Sequence, residues 1–327
     1  MATNSASEPG IRCNNRGVDF VEATADVELR GLNLYNPDEC VEGKLVPHKK
    51  HGVLAVQVTF LKCGGLVVGC TFDHRIADAY SANMFLVSWA AMAQPTKPKP
   101  IFSTFPSQAQ PCFDRSLLSP RRPGFIQPSL HDMYIPYSNL PPPKKLESQS
   151  DPLISRIYYV TAKTLNHIQS FANSDSNAIL NGVKRTKLES FCAFLWKMVA
   201  SSSKGKKSVE ELTEKPLSWV AGEVHAFLEA AVTKDHFLGL IDWVEAHRPS
   251  AGFPVAKVDF GWGKPLFGSY HFPWGGDSGY VMPMPSTVGN GDWVVYMHLR
   301  KGQLEKIECE AAHVFKPLTW EYLNLII

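Results

Sequence analysis

The sequence predicts an α/β protein of two halves, each a sheet with helices laid against it, joined by a long crossing segment. Three observations carry this reading. Strand-like runs alternate with helical patterns on both sides of the middle of the chain, and a proline-rich stretch of little periodicity separates the two series. The 327 residues, 44% hydrophobic and 11% aromatic, also hold enough apolar material for two cores. No internal repeat period is present.

In the first half, residues 53–60 (VLAVQVTF) and 66–72 (LVVGCTF) read as two strands, and the intervening LKCGG places Gly64 and Gly65 where a tight hairpin turn needs them. From Asp78 to Ala93 the period becomes helical, with Ala79, Ala82, Phe85, Leu86 and Trp89 spaced to line one face. The crossing segment, QPTKPKP through SPRRPGF to LPPPKK, places the boundaries at 1–100 for the first half, 101–152 for the linker and 153–327 for the second half. Beyond it come a strand over 153–160 (LISRIYYV) and a helix over 161–172. A helix from Thr186 follows, where TKLE has the reciprocal form of a capping box. Helical patterns cover 216–231 and 235–247; strands are expected at 255–260, 279–285 and 292–299, and a last helix over 303–314.

Composition excludes some partners. A net charge of +2, from 33 basic and 31 acidic side chains, gives no field that would gather nucleic acid or an anionic membrane surface. The first residues have no apolar signal core, and no apolar run approaches the roughly 20 residues that span a bilayer, so a cytoplasmic location is expected; a monomer is expected as well. Seven scattered cysteines (Cys13, Cys40, Cys63, Cys70, Cys112, Cys192, Cys309) form no C-x-x-C pair, and no His cluster has zinc spacing. They read as reduced thiols, mostly small core residues, and no metal site is expected.

Two stretches could carry chemistry. In HRIAD, residues 74–78, His74 falls where a strand ends and a helix is about to start, and Asp78 stands four residues on. That spacing fits a catalytic pair. It fits equally an N-cap at Asp78, whose carboxylate would take open backbone N–H groups, beside a satisfied half-buried His74. In VDFGWGKPLFG, residues 258–268, three glycines among aromatics fit a tight turn braced by Phe260 and Trp262, without the spacing of a phosphate-binding loop. Neither a G-x-S-x-G elbow nor a P-loop is present, so serine-hydrolase and nucleotide readings have no motif behind them.

HRIAD at 74–78 and DFGWG at 259–263, in that order and that far apart, resemble the two signatures of the plant BAHD acyltransferases of the HxxxD type. EPGIRCNNRGVDFVEA, GCTFDHRIADAYSANMF, PLSWVAGEVH and EAAHVFKPLTWEYLNL resemble family phrases too, nearest to members acylating coniferyl alcohol and similar monolignols. The likeness covers nearly the whole chain. It implies an α/β fold of two chloramphenicol-acetyltransferase-like domains with a channel between them. By position, His74 would be the general base and Trp262 would lie near the reacting carbonyl, its indole N–H a donor to the oxyanion. Asp78, Asp259, Gly261 and Gly263 would be structural, with the Asp78 carboxylate turned away from the site. Acyl-CoA would be the co-substrate, with no permanently bound cofactor and no metal, and a plant alcohol or amine, most simply an aromatic alcohol, the acceptor.

Compared with the family pattern the chain is roughly a hundred residues shorter. A segment expected before EPGIRCNN is missing, and only SKGKKSVEELTEK fills the interval where D-G-R-like and Y-F-G-N-like phrases are expected. Family members pair the first motif's carboxylate with an arginine from that interval, so Asp78 is expected to lack that cation. A shortened relative, catalytically weak or inactive and acting through binding, or an incomplete gene model, is therefore the alternative to an active enzyme.

Overall fold

The structure, a computed structural model, describes residues 2–3, 9–10, 14–41, 43–49, 51–74, 76–93, 116–133, 151–174, 183–201, 212–247 and 279–323. The strand expected at 255–260 and the whole DFGWG stretch lie outside the described residues.

Two short strands, β1 (Ala2–Thr3) and β2 (Pro9–Gly10), pair with each other. The first main sheet has the order β3 (Asp19–Ala25), β4 (Leu54–Leu61), β5 (Leu66–Phe72), with β3 parallel and β5 antiparallel to β4. The central strand β4 is buried along all its length but Phe60, as expected of a strand flanked on both edges and both faces. The hairpin forms at LKCGG: Gly64 has φ +80°, a left-handed conformation that glycine adopts without strain, and the Leu61 N–H donates to the Gly65 carbonyl at 2.8 Å. Strand β3 was not expected from the sequence. Its residues, DFVEATA, stay mostly exposed, so they lack the apolar alternation that marks a half-buried strand.

The second sheet is antiparallel, in the order β7 (Tyr280–Pro285), β8 (Trp293–Arg300), β6 (Leu153–Val160), β9 (Lys316–Pro317). Alternation sorts its side chains. Tyr158, Val160, Val295 and Met297 form a core with Leu165 of the helix Ala162–Ala172, Phe191 of Lys187–Ser201, and Leu304 and Ile307 of Lys301–Glu310. Ile157, Val294 and Tyr296 point the other way, onto Leu34, Leu318 and Leu323. The segment between β3 and β4 is tied to the second sheet: Ile157 N–H donates to the Tyr35 carbonyl at 2.9 Å, Ser155 N–H to Asp38 at 2.7 Å, and Arg156 to Asn36 at 2.9 Å. The Tyr35 and Tyr158 hydroxyls both donate to Glu308.

Most helix boundaries follow capping chemistry. Thr161 caps Ala162–Ala172 by accepting the Thr164 N–H, and the TKLE box closes in both directions, with Thr186 N–H on Glu189 and Glu189 N–H on the Thr186 hydroxyl. Helices Leu217–Ala231 and Lys234–His247 follow the expected ranges. The last helix begins and ends earlier than its apolar pattern suggests, at Lys301–Glu310. Gln303 accepts the Arg300 N–H at its start, and the apolar residues that follow, Val314 and Phe315, enter the core from a turn. The short helix Pro128–Met133 rests on Lys234–His247, where a side chain at Gly239 would meet Leu130 at 2.9 Å. Beside it Asp242 accepts from the Arg121 and Phe125 backbone N–H groups and pairs with the Arg121 guanidinium at 2.7 Å.

The expectation that the cysteines are mostly core residues is corrected. Of those described, Cys63 and Cys309 are exposed and Cys40, Cys70 and Cys192 half-buried, all free. Cys63 lies in the hairpin turn, where its sulfur accepts the Leu29 N–H. On the flank of β5, by contrast, burial pushes the Cys70 thiol up to about 12.

Burial raises the Glu189 carboxyl, but the Thr186 N–H and the His225 imidazole, 2.7 Å away, outweigh it and hold its pKa below the usual 4.5. A carboxylate depressed by folding stabilises the fold above its unfolded pKa, and that contribution is lost as pH falls through the folded value. The urea midpoint is therefore expected to drop as pH falls below 4.5, and to drop less steeply in Glu189→Gln. Parallel urea curves down to about pH 3 test this; equal slopes would show that the capping box contributes nothing to acid lability.

Candidate active site

Strand β5 ends at Phe72, opposite Leu54. The Asp73 N–H donates to the Val53 carbonyl at 2.8 Å, which carries the ladder one residue further, and the Ile76 N–H donates to the Asp73 carbonyl at 3.0 Å to close a turn. His74 sits within that turn, half-buried. Three residues past Ile76 the helix Ala79–Ala93 starts. Asp78 is its N-cap: the carboxylate accepts the Ser81 N–H at 2.7 Å, while the Asp78 carbonyl takes the first helical hydrogen bond, from Ala82, at 2.9 Å. His74 and Asp78 thus bracket one turn, and of the two readings open in the sequence the cap accounts for the placement of Asp78.

The helix packs by small residues. Ala79, Asn83 and Ala90 are its buried positions, where the sequence pattern pointed to Ala79, Ala82, Phe85, Leu86 and Trp89. Phe85 is 43% exposed and works from the flank, its ring edge-on to Phe72 with centroids 5.9 Å apart. Asn83 is 4% exposed, and its Oδ1 accepts no hydrogen bond.

The loop before β4 flanks the other side of the site. A Cβ at Gly69 would stand 2.2 Å from the Leu45 carbonyl oxygen, so only glycine lets this loop cross β5. The loop is then laced to the strand end: the Thr71 hydroxyl donates to the Pro47 carbonyl at 2.6 Å, and Lys49 lies 3.8 Å from the Asp73 carboxylate while donating to the Gly52 carbonyl. Asp73 is 9% exposed. Neither Lys49 nor Asp73 stood out in the sequence; the basic run HKKH at 48–51 and the Asp-His dipeptide at 73–74 were the available signals. Trp262, Asp259, Gly261 and Gly263 lie outside the described residues. Among the described residues, no group of three or more His, Cys, Asp or Glu is arranged to hold a metal ion, and no helix is long and apolar enough to cross a membrane.

Comparison with known proteins gives a consistent result. The sequence profile of the Transferase family matches residues 1–209 and 201–314. The omega-hydroxypalmitate O-feruloyl transferase of Arabidopsis thaliana is 25% identical over 314 residues, covering 78% of this chain and 65% of its own length. The shikimate O-hydroxycinnamoyltransferase of Nicotiana tabacum is 23% identical over 352 residues, covering 86% and 76%. A shorter match, 38% over 86 residues, relates 24% of this chain to 20% of the acetyl-CoA-benzylalcohol acetyltransferase of Clarkia breweri. This chain thus spans less than two thirds of the first of these relatives. In fold it resembles F. graminearum TRI101 complexed with coenzyme A and deoxynivalenol, with a TM-score of 0.63 at 13% identity over 91% of this chain and 81% of that one.

The cap at Asp78 has a measurable weight. Asp78→Ala is expected to lower unfolding free energy by about 1 kcal/mol, within the 0.5–2 kcal/mol range of N-cap losses, and Asp78→Asn to recover most of it. Urea denaturation checks both. An unchanged midpoint in Asp78→Ala would mean that the Ser81 contact adds no net stability.

Proposed function

The chain belongs to the Transferase family of plant BAHD acyltransferases, and from that premise we propose that it moves an acyl group from acyl-CoA to the hydroxyl, or amine, of a plant specialised metabolite, an aromatic alcohol of monolignol type. The observation that carries this reading is the placement of His74, half-buried in a turn fixed by Asp73 on one side and by the Asp78 cap on the other.

An alcohol is a poor nucleophile until its proton is taken. In the proposed reaction the His74 imidazole accepts that proton as the acceptor oxygen attacks the thioester carbonyl, and the carbonyl becomes a tetrahedral oxyanion. The indole N–H of Trp262 is the proposed donor to that oxygen. Collapse of the adduct breaks the carbon–sulfur bond, and the proton held on His74 passes to the departing thiolate. Acyl group, proton and electrons balance with no metal and no covalent enzyme intermediate. Asp78, Asp259, Gly261 and Gly263 have supporting roles in this scheme. Feruloyl, hydroxycinnamoyl and acetyl groups, named in the relatives' activities, are the donors to try first.

A second reading, a catalytically weak relative that acts by binding, draws on the exposed apolar side chains of the first sheet. Phe20, Val21, Phe60 and Leu66 of that sheet are 37% exposed or more. A wetter site stabilises the oxyanion less well and positions the acceptor less tightly.

Thiol release from acetyl-, p-coumaroyl- and feruloyl-CoA in the presence of aromatic alcohols and amines separates the readings. On the first, turnover is measurable and His74→Ala retains less than about a tenth of it, since a general base contributes 10²–10⁴-fold, while far-UV circular dichroism stays that of the parent chain. Turnover that survives in His74→Ala would rule out His74 as the base. No thiol release with any pair, alongside saturable binding of acyl-CoA, would favour the second reading.

A further inference from the structure

We propose that Asp242 is the latch of a strap with two anchors: it ties residues 121–125 of the crossing segment to the helix Lys234–His247, and when it releases, that end lifts while Leu130 keeps the other end seated.

The inference starts from how open this stretch is. Leu118 is 54% exposed and Phe125 59%, and Arg122, Pro123 and Gly124 are exposed as well. A segment of that kind has little buried apolar surface to hold it down, which places it at the low-stability end of a fold. One anchor is Leu130, fully buried over Gly239, where a Cβ would come within 2.9 Å of it. The other is Asp242, 4% exposed and one turn further along the same helix face. It takes three donors from the strap: Oδ1 accepts the Arg121 N–H at 2.8 Å, and Oδ2 accepts the Phe125 N–H at 2.9 Å and the Arg121 Nε–H at 2.7 Å. Arg121 Nη2 donates in turn to the Phe125 carbonyl at 2.6 Å, so the guanidinium closes the strap's turn across itself.

The arrangement requires a carboxylate. Both oxygens face N–H groups, and a side-chain amide in its place would turn its own NH2 toward one of them. The Phe125 N–H, helped by the Arg121 donors, outweighs burial and holds the carboxyl below its usual 3.8, so Asp242 is charged at neutral pH. Hydrogen bonds to a charged acceptor are the stronger kind.

The latch stands apart from the second half's main packing. The clusters around Phe191 and around Val220 are built from the second sheet and from the helices over 162–172, 187–201, 217–231 and 301–310, so the strap can lift without opening them. Its place in the chain gives it a consequence. The helix that follows the His74 turn ends at Ala93 and the second sheet takes up the chain again at Leu153, with the crossing segment joining them. With the latch closed, the chain leaving the first half is fixed to the second no later than Arg121. Release moves that point to Leu130 and lengthens the slack between the halves.

Hydrogen exchange read by mass spectrometry on the full chain tests this. In Asp242→Asn, exchange at 121–125 is expected to quicken about tenfold or more, while peptides over 128–133, 153–160 and 293–300 keep the parent rate. Trypsin should cut after Arg121 faster in the same variant. Parent-like exchange at 121–125 would overturn the latch. Quickening shared by 128–133 would show a single anchor, and quickening shared by the sheet would show that Asp242 supports the core; either overturns the proposal. Should Asp242→Asn fold poorly, Arg121→Met decides alone, since it leaves the carboxylate its two backbone donors: faster exchange confined to 121–125 supports the latch, and an unchanged rate there refutes it.

Discussion

The site depends on one close approach, that of the Leu45 carbonyl over Gly69. Any side chain at residue 69 would put a carbon 2.2 Å from that oxygen. With glycine there, Leu45 and Val46 lie against β5, and the further contacts of the loop follow. Gln57, buried in the central strand, reaches the Lys44 carbonyl; Thr71 reaches Pro47; Lys49 reaches Asp73. A buried amide or carboxylate without such partners would cost stability. These polar groups therefore fix the loop's register as well as satisfying themselves, and the register decides where His74 emerges.

The second sheet is joined to the chain before it by the same kind of accounting. Strand β6 would present open backbone groups on one side, and residues 35–38 answer them: the Tyr35 carbonyl takes the Ile157 N–H and Asp38 takes the Ser155 N–H. Beneath them Ser155, His298 and Tyr296 form a buried hydrogen-bonded set, with the Ser155 hydroxyl 3.0 Å from both the His298 ring and the Tyr296 hydroxyl. Tyr158 is driven upward in pKa by burial and then by Glu308, so it stays a neutral donor to that carboxylate. Residues 35–38 come before the first sheet's central strand in the chain yet are bonded to the second sheet. The short stretch between Cys40 and Leu54 links the two, and it includes the loop that holds the His74 turn.

What was legible in the sequence was local. The GG hairpin, the strand over 153–160, the Asp78 cap and the TKLE box each depend on residues a few positions apart, where backbone geometry and hydrogen-bonding capacity are nearly determined. The misses have a common cause in long-range packing. Strand β3 has no buried face to impose alternation, and the helix after His74 buries alanines and Asn83 instead of its aromatics. Lys49 and Asp73, 24 residues apart, meet only because Gly69 admits the loop. Cys63 looked like a small core residue and lies in a turn, where its sulfur takes a backbone N–H and its pKa falls.

Several contacts flanking the His74 turn lie between residues 44 and 85: the Gly69 crossing, the Lys49–Asp73 pair, the Asp78 cap and the edge-on contact of Phe72 with Phe85. None of them reaches into the second sheet. Proton abstraction, the first half of the proposed chemistry, thus draws on contacts made near His74 in the chain. Stabilisation of the oxyanion is assigned to Trp262, nearly two hundred residues further along the chain. The two halves differ in their need for enclosure. A base needs reach and a suitable protonation state, whereas a donor to an oxyanion gains most of its strength from a dry surrounding.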